Sequence, residues 1–451
     1  MNQKKPYTLL NKAEPYLWIL PSVILMAVFI IVPIGYVFRM AFSQVTKAGL
    51  VRGFCGFDNF TKAVGNAKFG MVLKNTIIWT ILVVVLSTVL GFILALLLNN
   101  EFKGRKIARA IVVFPWATTL VIQASVWKFI IDTDTGSDDA VAIIMCLREL
   151  GEQVLALTTV SGNVPMEQAT LNCLMSVEVA ALPSPPPVYQ GADRPLMRAP
   201  IHARNVHGDD GMSDCGLIRP SLRAVEGVHA ADAIIRLVEE NPGEVELAVI
   251  GPATNVALAM MKAPEVMKKL KCIWTMGTCG FGPGNTTPVS EFNVYADAEA
   301  YRVMMDFGVH VYVGGYDLCT AEAAWFDKDT EALLASGTRA ADYSVRINEK
   351  LAQFCLAIGG QRRIDLPDAV SLSPMLWPDV VQRAVPCVSH VCVEDPATYG
   401  QVIFYDGRML AGMGPGFEGG YYGKTAPNCT VIAQVDSALY KKRLAKLLTE
   451  R

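Results

Sequence analysis

The sequence predicts two unlike parts. Residues 1–130 read as an all-α membrane segment of about three transmembrane helices, and residues 131–451 as an α/β domain with an open, mostly parallel sheet and helices on both faces. Three observations carry this. Charged residues make up only 18% of the 451 and apolar residues 52%, whereas ordinary soluble domains are about 25% charged. The net charge of −2 hides an asymmetry, with 14 Lys and Arg against 3 acids up to residue 130 and 26 against 39 beyond it. Beyond residue 130, apolar strand-like runs alternate with stretches of helical spacing, the pattern of a parallel sheet. The length exceeds what one hydrophobic core supports, and the acidic second part excludes nucleic acid, whose binding rests on Lys and Arg at phosphates.

In the first part, Pro15–Phe38, Asn75–Asn100 and Ala110–Trp127 carry no charge and place spans near 16–38, 75–99 and 110–128. The first two exceed the ~20 residues a helix needs to cross a bilayer. Lys103, Arg105, Lys106 and Arg109 crowd the second connection, which puts it and the N-terminus in the cytoplasm. The expected location is therefore the plasma membrane, multi-pass and in contact with lipid. Three spans place the second part outside. Its ten scattered cysteines, without a CxxC, suit a reducing compartment instead, so its side stays open.

PYLWILPSVILMAVFIIVPIGYVFRMAFS, GFDNF and NTIIWTILVVVLSTVLGFILALLLNNEFKGRKIARAIVVFPW resemble the first spans of the permease subunits of binding-protein-dependent sugar ABC transporters. The resemblance covers about 130 residues. No later spans and no ATPase-docking loop follow, so this part does not transport alone. It runs into the second part without a glycine-, serine- or proline-rich linker, which suggests two genes joined by fusion or by an assembly error.

The second part opens on IDTDTGSDDAVAIIMCL, a strand end, an acidic glycine-containing turn and a helical stretch. Asp132, Asp134, Asp138 and Asp139 lie within eight residues. Such a cluster either binds a hard cation through oxygen or caps the helix as a solvated turn, and the local sequence does not choose. QVLALTTV, VELAVIGPATN, KCIWTMG and VHVYVGGYD read as strands, with helices near 166–180, 229–240 and 253–270. Ligands of such sheets bind at the carboxyl ends of the strands, and here those ends are SGN, GPATN, MGTCGFGPGN and GGYD.

The aspartate motif, followed in order by TTVSGNV, VYQGADRPL, VHGDDGM, GPATNVALA, PGNTTPVSEFNVYADAEA and LPDAV, resembles the inosine-uridine preferring nucleoside hydrolase family over essentially all of 131–451. Thr135 stands where proline is usual. The resemblance implies hydrolysis of ribonucleosides to ribose and free base, and self-association into a homo-oligomer. Ca2+ would be held by Asp134, Asp139, the carbonyl of Thr254 and Asp368, with a calcium-bound water losing its proton to Asp134. Asp138, Asn163, Asn285, Glu291, Asn293 and Asp368 would hydrogen-bond the ribose, with Met276 under the ring and His207 toward the base. Read alone, Met276 is a core residue, His207 a turn residue, and Asn163 and Asn255 turn formers. His202, His229, His310 and His390 have no ligand spacing. Pro367 replaces the histidine that several members carry before the last metal aspartate. That leaves the leaving-group acid open and keeps a second expectation standing, a transport component whose soluble domain binds nucleosides without turnover.

Overall fold

The computed structural model describes residues 38–45, 51–65, 69–99, 127–319, 322–406 and 426–450. The chain divides into two units, 1–117 and 118–451.

The first unit holds an antiparallel ribbon, β1 (Ser43–Val45) with β2 (Val51–Phe54), and two helices, Asp58–Val64 and Phe69–Asn99. The Asn59 side-chain amide donates to the carbonyls of Ala41 and Ser43, tying the short helix to the ribbon. Phe69–Asn99 is, among the described residues, the one helix long and apolar enough to cross a membrane, with mean hydropathy 2.0 over Phe69–Val89. The segment is therefore not all-α: the connection before this helix carries a ribbon whose backbone pairs across strands. Nearly all of the expected spans 16–38 and 110–128 lies outside the described residues, and Lys128, the last residue of the third, begins a strand of the second unit.

The second unit is built on nine strands: β3 (Lys128–Thr133), β4 (Val154–Thr159), β5 (Val188–Gln190), β6 (Val245–Val249), β7 (Cys272–Met276), β8 (Val311–Gly314), β9 (Val381–Val391), β10 (Val402–Asp406) and β11 (Cys429–Val435). Their order is β10-β9-β11-β8-β7-β6-β3-β4-β5. Six of the eight neighbouring pairs are parallel, and β9 runs antiparallel to both β11 and β10, so the sheet is mixed. The parallel strands are short and apolar because both faces are covered. In β3, Phe129 and Ile131 join the core under the helices Ser137–Leu150, Met166–Ala180 and Ser437–Thr449. Ile130, between them, points into the opposite core with Val256, Tyr301 and Met304.

The expected helix 253–270 is two, Thr254–Lys262 and Pro264–Met267. Proline offers no N–H to continue the ladder, so Pro264 restarts the helix at its first turn, where a missing donor costs nothing.

From β3 the chain winds one way through β4 and β5 and the other way through β6, β7 and β8. β3 is thus the point where strand order reverses, and the crevice at its carboxyl end is where such sheets take ligands.

Candidate active site

Asp134 leaves β3 at that crevice and is fully buried. Its Oδ2 accepts the main-chain N–H of Asn163 at 2.6 Å, while Oδ1 is buried without a hydrogen-bond partner. Asp138 and Asp139 occupy the first turn of the Ser137–Leu150 helix. Asp139 is closed by Thr133 Oγ1 at 2.6 Å, the Gly136 N–H at 2.8 Å and the Asn163 side-chain amide at 3.0 Å. Asp138 Oδ1 has no hydrogen-bond partner, and His207 Nδ1 lies 3.7 Å from it. Asp368 enters from the first turn of the Pro367–Leu376 helix.

One oxygen from each of Asp138, Asp139 and Asp368 lies within 4.8 Å of the others. Burial, followed by the opposing hydrogen bond from Asn163 and the charge of Asp138, leaves Asp134 raised to about 7. Asp139 and Asp368 are pushed well above the carboxylate range by burial and then by repulsion from their acidic neighbours. Water-excluded carboxylates with lone pairs left unsatisfied are costly. An oxygen-only set of this kind fits a hard divalent cation; the turn is buried rather than solvated, although Asp139 does cap the helix through the Gly136 N–H.

Asp132, the fourth carboxylate of the motif, is committed to the fold. Its Oδ1 accepts Thr158 Oγ1 at 2.6 Å and Asn255 Nδ2 at 2.8 Å, and burial raises it to about 7. Asn255 also donates to the Thr159 carbonyl and accepts the Ala192 N–H, so it ties together the ends of β3 and β4 and the loop after β5.

Above the carboxylates opens a cavity of about 340 Å³, lined by Asp138, Asn163, His207, Met276, Asn285, Glu291, Asn293 and Asp368 among others. Such a volume suits a small ligand. Eight of the eleven residues expected from the sequence therefore meet in one cavity. Asp134, Asp139 and Thr254 do not line it. The Thr254 hydroxyl donates to Asp297 at 2.7 Å, so its side chain is spent within the fold.

Glu291 caps the Phe292–Ala296 helix, accepting the Asn293 N–H at 2.8 Å, and burial raises it to about 8. The Asn293 side-chain amide donates to the carbonyls of Ile250 and Met276, joining the ends of β6 and β7. Asn285 sits on the exposed loop after β7. His207 Nδ1 lies 2.9 Å from Ser137 Oγ, and burial lowers its pKa, partly offset by Asp138.

His202, Asn205, Tyr316, Phe354 and Asp365 also line the cavity and were not singled out from the sequence. They come from two helices, a 3-10 turn and loops with no shared spacing. His202 alone offered a signal, five residues before His207 in the same polar loop. Pro367 lines the cavity too, at the first position of its helix, where proline is well accommodated.

This crevice at the strand-order reversal joins a polar cavity to a buried carboxylate cluster in an α/β domain. A family model described as inosine-uridine preferring nucleoside hydrolase matches residues 129–442, and the chain belongs to that family. An uncharacterized protein of Schizosaccharomyces pombe is 41% identical over 192 residues, 42% of this chain and 61% of that protein. A probable uridine nucleosidase of Oryza sativa is 34% identical over 253 residues, 56% of this chain and 74% of that protein. The pyrimidine-specific ribonucleoside hydrolase RihB of Escherichia coli is 38% identical over 191 residues, 42% of this chain and 60% of that protein. The chain thus aligns with less than two thirds of the yeast and bacterial proteins.

Among solved structures, a plant nucleoside hydrolase, PpNRh1, superposes with TM-score 0.64 and 28% identity over 72% of this chain and 99% of that chain. A purine-preferring ribonucleoside hydrolase from Gardnerella vaginalis gives 0.63 and 26% over 71% and 98%. Residues 1–128 lie outside the family match. None of these relatives supports a permease identity for them.

Proposed function

We propose that the second unit hydrolyses the N-glycosidic bond of ribonucleosides, releasing ribose and a free purine or pyrimidine base. The observation that carries the proposal is the buried cluster of Asp138, Asp139 and Asp368, two of which line a cavity shared with Asn163, Asn285, Glu291 and Asn293. The nucleosidases and ribonucleoside hydrolases among the relatives support it.

Asp134, Asp139, Asp368 and the Thr254 carbonyl would hold Ca2+, with Asp138 close enough to share it. Bound there, the cation would offset the carboxylate repulsion and make a water more acidic. Asp134 accepts the proton of the attacking water through Oδ1, while Asn163 fixes Oδ2. Asp138, Asn163, Asn285, Glu291, Asn293 and Asp368 hold the ribose hydroxyls. Met276 lies under the ring, and the surrounding carboxylates and amide oxygens stabilise the oxocarbenium character that develops as the bond to the base breaks. His207, whose Nδ1 lies against Ser137 Oγ, lines the cavity and as imidazolium, the form that the Asp138 charge favours, would give its proton to the departing base and be left neutral, a role that Pro367 cannot perform.

The length and hydropathy of the helix Phe69–Asn99 support a membrane anchor for the first unit. Self-association of the second unit, as the family resemblance implies, belongs to the same proposal.

The test is product analysis with the full chain on matched ribonucleosides and 2′-deoxyribonucleosides. Ribose release at least about 100-fold faster than deoxyribose release is expected, because buried hydroxyl-binding groups left unpaired are costly. Nucleoside binding without ribose release would instead fit a non-catalytic binding domain in a transport component.

A further inference from the structure

Asn285 is the one ribose-binding candidate whose side chain is exposed. Its Oδ1 accepts from Thr286 Oγ1 at 3.2 Å, a contact that moves with the loop. Its position is set by the backbone on either side: the Gly284 and Thr286 N–H groups donate to the carbonyls of Pro288 and Ser290 at 3.0 and 3.2 Å, and on the other side lies the preceding segment, Gly277–Gly284. The backbone of that segment rests on the turn after β8. The Tyr316 N–H donates to the Thr278 carbonyl at 2.9 Å, and the Phe281 N–H donates to Asp317 Oδ2 at 2.8 Å.

Asp317 Oδ1 is buried without a hydrogen-bond partner, and burial raises the carboxyl. A Cβ placed on Gly280, which has φ +64°, would overlap that carboxylate, so the loop descends directly onto it. Thr278 meanwhile holds φ 75°, a left-handed conformation that costs a non-glycine residue on the order of 1–3 kcal/mol and persists only where its surroundings enforce it. Neither the carboxylate cluster nor the cavity lining includes Asp317, and the catalytic scheme leaves it without a role.

We propose that Asp317 is a positioning residue that holds the Gly277–Gly284 loop so that Asn285 reaches the ribose. The proposal rests on the hydrolase reading above. Asp317 acts on substrate binding through Asn285 and touches neither the reacting bond nor the cation.

The experiment compares the full chain with Asp317→Ala, Asp317→Asn, Asn285→Ala and the double variant Asp317→Ala/Asn285→Ala. Uridine turnover and amide hydrogen exchange across residues 277–290 are both followed. Asp317→Ala is expected to raise KM about tenfold with kcat within about twofold, the signature of lost uniform binding. Exchange should quicken in the loop and stay unchanged in the sheet. Asp317→Asn, which keeps an oxygen acceptor for the Phe281 N–H, should restore KM to within about twofold. In the Asn285→Ala background, Asp317→Ala should add less than about twofold, because both remove one interaction. An unchanged KM, full multiplication with Asn285→Ala, or a defect in Asp317→Asn equal to that of Asp317→Ala would overturn the proposal. If the unsubstituted chain releases no ribose from inosine, uridine or cytidine, the hydrolase reading falls by itself. Exchange then decides for Asp317: quickening confined to the loop upholds the anchoring, and none overturns it.

Discussion

Asp132 and Asp134 stand two residues apart at the end of β3, yet their oxygens meet different fates. Asp132 Oδ1 accepts from two side chains, Thr158 and Asn255, and its Oδ2 is buried without a partner, whereas Asp134 accepts a main-chain N–H, that of Asn163, and lies among the charges of Asp138 and Asp139. The first pattern is structural. Asp132→Ala should cost about 1–3 kcal/mol by stranding buried donors, read as a lower urea midpoint with an unchanged slope. Asp138 behaves oppositely. Without a cation it sits buried near like charges that it repels, so Asp138→Asn should leave the protein as stable or more stable in chelator, by thermal unfolding. The same variant should lose most of the stabilisation that added Ca2+ gives the unsubstituted chain. A cation at 100 times its dissociation constant is worth about 2.7 kcal/mol, so the difference is measurable. A chain indifferent to Ca2+ and chelator alike would contradict the reading of the cluster.

The glycine before Asn163 shows how elements aim the site. A Cβ added to Gly162 would overlap the Asp134 carboxylate, because the turn after β4 lies against the end of β3. Gly162→Ala should therefore displace Asp134 and lower kcat at least about 100-fold while the far-ultraviolet circular dichroism stays native. Strands β3, β4, β6, β7 and β8 were legible because burial on both faces makes each a short apolar run. The pairing of β9 with β11 was not. Residues of β9 such as Gln382, Arg383 and Ala384 are exposed, so its pattern is broken, and its partner lies some forty residues away. The site followed the same rule. Asp134, Asp138 and Asp139 come from one local motif, and Asn285, Glu291 and Asn293 from another. His202, Asn205, Phe354 and Asp365 reach the cavity only through tertiary folding, which no spacing records. The fate of Asp132 was equally hidden, because its partners Thr158 and Asn255 come from β4 and from the helix Thr254–Lys262.

At the scale of the molecule, the asymmetry of charge and hydropathy places a boundary at residue 130, and the chain divides into units 1–117 and 118–451. Seven of the ten cysteines of the second unit are buried. Burial pushes Cys146, Cys272 and Cys355 up to about 12. The thiolate is the reactive form, so at pH 8 a thiol-specific reagent should label the native protein slowly at those positions and all ten thiols at once after denaturation. The Phe69–Asn99 helix sets a separate expectation. The full chain should stay with the membrane after carbonate extraction, and a chain with charged residues at Leu82 and Leu86 should be released in part.

The central claim is that the buried carboxylates at the end of β3 break a nucleoside, and ribose release by the full chain tests it most directly. With Ca2+ present and inosine, uridine and cytidine offered in turn, the unsubstituted protein should release ribose from at least one. Asp134→Ala should slow that release about a thousandfold or more, since it removes both a cation ligand and the proton acceptor. Equal release by the two proteins, or none by a folded protein that binds Ca2+, would contradict the account.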